Sequence, residues 1–545
     1  MIRKTSRLIL LPLAAFAMGA AQLAAQPVQS AAAQRVRAHV EFLASDLLEG
    51  RDTGSRGYDI AASYVVSQFT QLGLRPGGTN GSWYVPVPFR RATQPTPPVI
   101  SFTLDGRTVP LAIGTDAGVR PSLVHKQRTI SGGLVFVGRG LQDARLGIDD
   151  YAGLDVRGKI VVALDDRPRA VASDVAAHLG STRARAAARN GAIGLIEVAM
   201  PRGGRPGMPG VGNISTRPAT GWVDSQGRTN AGPAAGVATL ALSDEWASRL
   251  FTGSRKSLAA IRSDAAAGKP VMGFALRGSL AVRSASVWED FTSPQVVGVL
   301  PGADPRLAAE AIALMGHLDH LGVKKDARPG EDAIYNGALD NASGIATMLE
   351  AARTFVNSGR PPRRTVLFVA NTGEEKGLLG ADYFAANPTA PAGRIVGLVN
   401  LDMPLLLYDF RDVIAFGAEH STIARAVADA ASSMGVAVTP DPMPEQSLFV
   451  RSDHYPFVKQ GVPSVFLMTG HANGGKPMWD KFLAGEYHSV ADDLKQPLDW
   501  EAGARFAELN YRIARTLADA NSRPLWYAGD YFGDSFAPGQ PKARR

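Results

Sequence analysis

The chain has 545 residues, 45% of them hydrophobic and 20% charged, a balance that suits globular folding in more than one unit. The net charge is +8, and setting aside Arg3, Lys4 and Arg7 leaves +5. So mild an excess, with no dense Lys/Arg stripe, excludes a nucleic-acid partner. Cysteine is absent, which excludes disulfides and thiolate ligands, so zinc could be held only by imidazole and carboxylate.

Residues 1–25 read as a secretory signal: basic residues up to Arg7, an apolar run over 8–21, then small residues with cleavage after Ala25. The apolar run is too short for a good membrane span. The expectation is an exported protein, periplasmic or secreted, with no stable membrane insertion once the leader is removed. The Ala/Gln/Ser-rich stretch 26–34 is expected to be disordered. Apolar residues at helical spacing follow over 36–47. A Gly-punctuated loop covers 49–55, and an amphipathic helix over 58–72 is stopped by Gly73. Residues 26–96 are read as the N-terminal part of a catalytic unit.

From about Thr93 the texture changes to short β-like runs separated by turn residues, over 99–104, 133–137, 159–164, 194–199, 237–242 and 271–276. A helix over 181–190 interrupts them, and 201–235 reads as a Gly/Pro-rich surface loop. Residues 97–288 therefore read as an inserted β-rich domain. Strands and helices then alternate: strands over 296–300, 311–315, 366–370, 395–401 and 463–468; helices over 342–355, 377–386, 421–434 and 500–518. The alternation predicts an α/β fold over 289–520, a doubly wound, mostly parallel mixed sheet with helices on both faces. The tail 521–545 carries Trp526, Tyr527, Tyr531 and Phe532 and is expected to pack back on the body, with 540–545 frayed.

Three of the strands end on chemistry. The first runs into Gly316-His317, with Asp319 two residues on. The second runs into Thr372-Gly373-Glu374-Glu375, and the third ends on Asp402. Asp340-Asn341 opens a helix, and Tyr487-His488 comes later. Carboxyl ends of parallel strands are where such a sheet opens its crevice. Taken singly, each residue has an ordinary structural role, Asp340 as a helix cap for example. Their joint placement carries the reading.

His317, Asp340, Glu375, Asp402 and His488 make a donor set suited to zinc, with cobalt or manganese as substitutes. Five ligands exceed the needs of one tetrahedral catalytic zinc. If Asp340 bridges two ions ~3.5–4 Å apart, each has three protein ligands. Glu374 is then placed to act as general base. The Asp319 carboxylate is expected to accept the second N–H of His317. His320 is read as structural, Asp453 and His454 as groups behind the ligands or in contact with substrate, and Tyr487 as a donor to an oxyanion.

The motifs Gly316-His317-Leu318-Asp319, Leu339-Asp340-Asn341-Ala342, Thr372-Gly373-Glu374-Glu375, Asn400-Leu401-Asp402, Ser452-Asp453-His454-Tyr455 and Tyr487-His488-Ser489 resemble those of the co-catalytic, double-zinc aminopeptidase family related to glutamate carboxypeptidase II and the transferrin receptor. The resemblance implies one zinc on His317 and Asp402 and another on Glu375 and His488. It further implies Asp340 shared between them, Glu374 as base, Asp319 orienting His317, and a cis Asp340–Asn341 peptide. Through 149–161 and 185–192, the insert resembles a protease-associated domain.

The implied activity is an exported metallo-aminopeptidase acting on peptides. A carboxypeptidase or dipeptidase on the same site would need a cation such as Arg411 or Arg451. The resemblance also extends to glutaminyl-cyclase-like enzymes and to non-catalytic binding proteins, and the complete ligand set argues against both. Oligomeric state is not fixed by the sequence.

Overall fold

The computed structural model describes residues 29–200, 211–389 and 394–545. The expected signal segment, 1–25, lies outside the described residues. No helix among the described residues is long and apolar enough to cross a membrane.

The larger sheet has ten strands. At its centre Thr365–Asn371, Glu310–His317, Arg394–Leu401 and Ser464–Thr469 lie side by side and parallel. Asp412–Phe416 joins antiparallel beyond them, and Val287–Leu300 joins antiparallel on the other side. The central strands are buried along almost their whole length. Both faces are covered, which is why they read as continuous apolar runs rather than alternating ones. Alternate side chains feed two cores. Ile312, Leu314, Val366 and Phe368 pack under helices Ala31–Leu43, Ser343–Asn357 and Trp500–Asp519. Ala313, Met315, Leu367 and Val369 pack with Phe384 and Phe457 on the opposite face.

A second sheet of eight strands lies between Val99 and Ala285, with its own apolar core around Phe136, Ile160, Ile196 and Leu280. One strand from this stretch leaves it. Ala219–Trp222 pairs antiparallel with Tyr84–Thr93 and becomes the edge of the ten-stranded sheet. The expected loop over 201–235 is therefore corrected within its described part, because four of its residues pair in register with Tyr84–Thr93 and the Trp222 indole donates to Asp382 (2.9 Å).

Two other expectations fail. Residues 31–34 are not disordered: they begin the helix Ala31–Leu43, capped by Ser30, whose side chain accepts from the Ala33 amide. The tail end is not frayed. Ala543 donates to the Trp526 carbonyl and accepts from Ala528, both at 2.9 Å, and Trp526 and Phe532 are buried. The aromatic tail packs back through these residues.

Candidate metal centre

Because the four central strands are parallel, their carboxyl ends open on one side, and the predicted residues gather there. His317 is the last residue of Glu310–His317 and Asp402 directly follows Arg394–Leu401. Asp340 sits in the turn before helix Ser343–Asn357, and its peptide bond to Asn341 is cis. Asn341 knits the turn to both strand ends. Its amide donates to Leu401 O (3.0 Å) and His317 O (3.3 Å), and its oxygen accepts from the Gly344 and Met403 amides (3.0 Å each). Asp492 accepts from the amides of Leu339 and Asp340 (2.9 Å each) and holds the turn from the other side.

The two oxygens of Asp340 face two different imidazoles. Oδ1 lies 3.2 Å from His317 Nε2, and Oδ2 lies 3.2 Å from His488 Nε2. His317 Nε2 is also 3.1 Å from Asp402 Oδ1, and His488 Nε2 is 3.3 Å from Glu375 Oε2. The arrangement is two nitrogen–carboxylate clusters sharing one carboxylate. His488 reaches it from a backbone at φ 55, in the left-handed region, and its ring stacks on Tyr487 with centroids 3.9 Å apart.

Electrostatics follow from crowding these groups away from water. Burial disfavours charge on His317, but Asp402, Glu374 and the hydrogen bonds to Asp340 and Asp402 outweigh it and raise its pKa well above the ordinary value. Burial opposes ionisation of Asp340 too, yet His317 and His488 hold it well below the usual carboxylate range. Glu374 goes the other way. Burial, then the negative charges of Glu375 and Asp402, push it well up, with His317 opposing. In Glu375 burial and Asp340 are outweighed by the hydrogen bond to His320 and the nearby imidazoles, and its pKa is lowered. Two adjacent carboxylates are thus driven apart in acidity, the condition under which one serves as ligand and its neighbour as proton carrier.

The expected role of Asp319 is corrected. His317 Nδ1 meets the Asp319 main-chain carbonyl (3.0 Å), not its carboxylate. A carbonyl accepts only from N–H, so Nδ1 carries the proton and Nε2 is left facing the acids. The Asp319 carboxylate instead accepts from the amides of Glu374 (3.2 Å) and Glu375 (3.3 Å) and from the Thr53 hydroxyl (3.0 Å). It is a clamp on the turn that carries Glu374 and Glu375.

Among Ser452, Asp453 and His454, the residue that touches the cluster is Ser452, whose hydroxyl donates to Asp402 Oδ2 and accepts from the Asn400 amide (2.7 Å). Asp453 is fully buried behind the site, and burial lifts its carboxyl to about 7. His454 lies between Phe449 and Phe466, and burial lowers it to about 3. Neither lines the cleft, whose walls are His317, Asp340, Glu374, Asp402, Ser452, Arg451, Tyr487, His488 and the apolar side chains Met403, Leu448, Phe466 and Met468. His320 is closer to the chemistry than its structural reading implied. Its Nδ1 is 2.7 Å from Glu375 Oε1, and it can form a donor group with Asp340 and Glu375.

Sequence reasoning missed Arg51. This fully buried side chain donates to the carbonyls of Leu43, Leu318 (3.0 Å), Asn336 (2.7 Å) and Gly337 (3.1 Å), and so holds the strand-end loop and the Asp340 turn together. Its only signal was a basic residue in a Gly-rich loop.

Residues 295–514 match the model of Peptidase family M28. Over 222 residues the chain is 28% identical to a probable zinc metalloprotease of Leptosphaeria maculans, covering 34% of this chain and 50% of that protein. It is 30% identical over 188 residues to Leupeptin-inactivating enzyme 1 of Streptomyces exfoliatus, covering 33% and 36%. The chain thus spans half the length, or less, of these curated relatives. Among solved structures, the aminopeptidase from Aneurinibacillus sp. strain AM-1 aligns with a TM-score of 0.51 at 21% identity, over 92% of this chain and 97% of that one, a likeness of fold. The segment that matches the M28 model includes every member of the cluster, from His317 to His488.

Proposed function

We propose that this chain is an exported two-zinc exopeptidase that removes N-terminal residues from peptides. The observation that carries the reading is the double reach of Asp340, one oxygen toward each imidazole cluster. Separations of 3.1–3.3 Å between ligand atoms fit two donors sharing an ion at ~2.0–2.2 Å from each. His317 and Asp402 would hold one zinc, Glu375 and His488 the other, and Asp340 both. We assign His488 rather than His320 to the second, because its Nε2 faces Asp340 and Glu375 as His317 Nε2 faces Asp340 and Asp402. His320 then steadies Glu375 through its other oxygen. A bound pair of zinc ions supplies Lewis acidity toward water and the scissile carbonyl.

The protein's own groups supply the rest. Glu374, with its raised pKa, takes the proton of the attacking water and delivers it to the departing amine. Asp319 fixes the turn from which Glu374 projects. Tyr487, partly buried against His488 and kept protonated by that burial, donates to the oxygen that gains negative charge. Export is supported by the basic and apolar leader. We read the eight-stranded unit as a protease-associated-like insert that limits access to the cleft.

A second reading, carboxypeptidase or dipeptidase, draws on Arg451, which lines the cleft with no ion-pair partner among the described residues. Arg411 does not serve it, because it is exposed and paired with Asp409. The test is metal content with hydrolysis of aminoacyl-anilides, their N-acetylated forms and free dipeptides. We expect two zinc ions in these clusters and activity only on free-amine substrates. Glu374→Gln should lower kcat by roughly 10²–10⁴-fold while retaining metal. Cleavage confined to substrates with a free carboxylate, undiminished by N-acetylation, overturns the aminopeptidase reading.

A further inference from the structure

Away from the cleft, a second group of donors meets where three parts of the chain join. Asp174 lies in the first turn of helix Ser173–Ser181, within the stretch that builds the eight-stranded sheet. Glu419 and His420 follow strand Asp412–Phe416 of the catalytic sheet. Asp530 caps the C-terminal helix Tyr531–Phe536. One ligand atom each from Asp174, Glu419 and His420 fall within 4.8 Å of one another.

The histidine is the telling member. Its ring is fixed beside Phe449 and Phe532, with centroids at 4.7 and 5.1 Å, and Nδ1 is 2.6 Å from Asp530 Oδ2. Its Nε2 is shut off from solvent and takes no hydrogen bond, while Glu419 Oε1 stands 3.7 Å away. An imidazole that donates from one nitrogen to a carboxylate and leaves the other bare, near a second carboxylate and in a donor group with a third, is the arrangement of a metal-ligating histidine. Two ligands ~2.1 Å from a tetrahedral zinc lie ~3.4 Å apart, close to that gap. Asp441 adds further negative field at Asp174.

We propose that Asp174, Glu419 and His420 bind a further divalent ion of the zinc class, with Asp530 orienting His420. One imidazole with two carboxylates favours zinc or manganese over the all-oxygen cages of calcium and magnesium. The ion would tie the inserted unit to the catalytic sheet and the C-terminal segment. The inference does not depend on the reading of the cleft. The rival occupant is a proton, which would make His420 a buried imidazolium paired with Asp530.

The full-length protein, stripped with chelator and reloaded with zinc, is analysed for metal content and for zinc-dependent change in Tm. Asp174→Asn, Glu419→Gln and Asp340→Asn are compared with wild type. Glu419 has a side chain 61% exposed, so its variant is expected to fold. Asp174→Asn and Glu419→Gln should each lose one zinc equivalent and part of the zinc-dependent rise in Tm. The loss in Asp340→Asn should add to theirs, so failure at the cleft and failure here are read separately. Equal zinc in wild type and both variants, with an equal rise in Tm, overturns the proposal in favour of the imidazolium. Stripped wild type is also offered zinc and calcium at equal concentration, and if the equivalent lost from the variants then proves to be calcium, the zinc-class assignment is overturned.

Discussion

Replacing Asp319 by asparagine tests what its carboxylate holds. Oδ2 accepts from both the Glu375 amide and the Thr53 hydroxyl, whereas Oδ1 accepts only from the Glu374 amide. An asparagine would keep its oxygen on the side with two donors and turn its NH2 toward the Glu374 amide. One buried hydrogen bond is lost and two N–H groups face each other, at about 1–3 kcal/mol. The two surviving bonds lose their charge assistance, which roughly halves them. The expected loss is about 2–4 kcal/mol in urea unfolding. The turn bearing Glu374 is released, and a shift of about 1 Å in a catalytic group lowers kcat by about 10²-fold. His317 keeps its carbonyl partner, so zinc content should stay at the wild-type value. The assays are urea unfolding, metal analysis and anilide hydrolysis on one preparation. Loss of a zinc equivalent with stability unchanged would refute the reasoning and return the carboxylate to the imidazole.

Three further perturbations have defined outcomes. Arg51→Met leaves the buried carbonyls of Leu43, Leu318 and Asn336 without their donor, while Gly337 keeps the Ala342 amide (3.1 Å). Partly offset by removal of a buried charge, this should lower stability by about 3–5 kcal/mol in denaturant unfolding; a loss under about 1 kcal/mol would mean the loop repairs itself. Trp526→Ala empties a site that is 1% exposed and breaks the indole bond to Gly461 (2.9 Å), at about 3–5 kcal/mol, so a near-neutral result would show the C-terminal segment to be dispensable. Burial lowers His454 to about 3 and, with the Arg353 and Arg35 charges, His39 to about 4, so both are neutral in the fold. The unfolded chain therefore takes up these protons first as pH falls below ~6.5, and stability drops by about 2 kcal/mol for each at pH 5. His454→Phe should reduce the slope of unfolding free energy between pH 6 and 5 by about 1.4 kcal/mol per unit, and an unchanged slope would count against neutral burial.

The strand ends were legible because burial on both faces makes an unbroken apolar run, and such a run stops visibly at His317, Asn371 and Asp402. Asp340 was legible through its position at a helix start. What a string of residues does not contain is which atom of a residue does the touching. Asp319 is two residues from His317 as expected, but its carbonyl and carboxylate point to different partners. In Ser452-Asp453-His454 the titratable pair drew attention, while the neutral hydroxyl reaches the cluster. Arg51 and Asp492 were hidden because a buried charge looks like a solvated one until its partners, far off in the chain, are known. The four-residue strand Ala219–Trp222 was hidden for a related reason, since its partner lies more than a hundred residues away.

That strand has a consequence for anyone who trims the molecule. Ala219–Trp222 covers the outer edge of Tyr84–Thr93, ten residues long, and removing the insert would leave part of that edge with unpaired amides and carbonyls. An uncovered edge is a template for pairing with another chain. Phe89 and Ala92 on this strand are buried, so a foreign strand would find an apolar face as well as free backbone groups. The catalytic half expressed alone would therefore tend to self-associate edge to edge, whatever the state of its active site. A soluble minimal enzyme would need either the 219–222 segment grafted back or a charge or proline placed along 84–93.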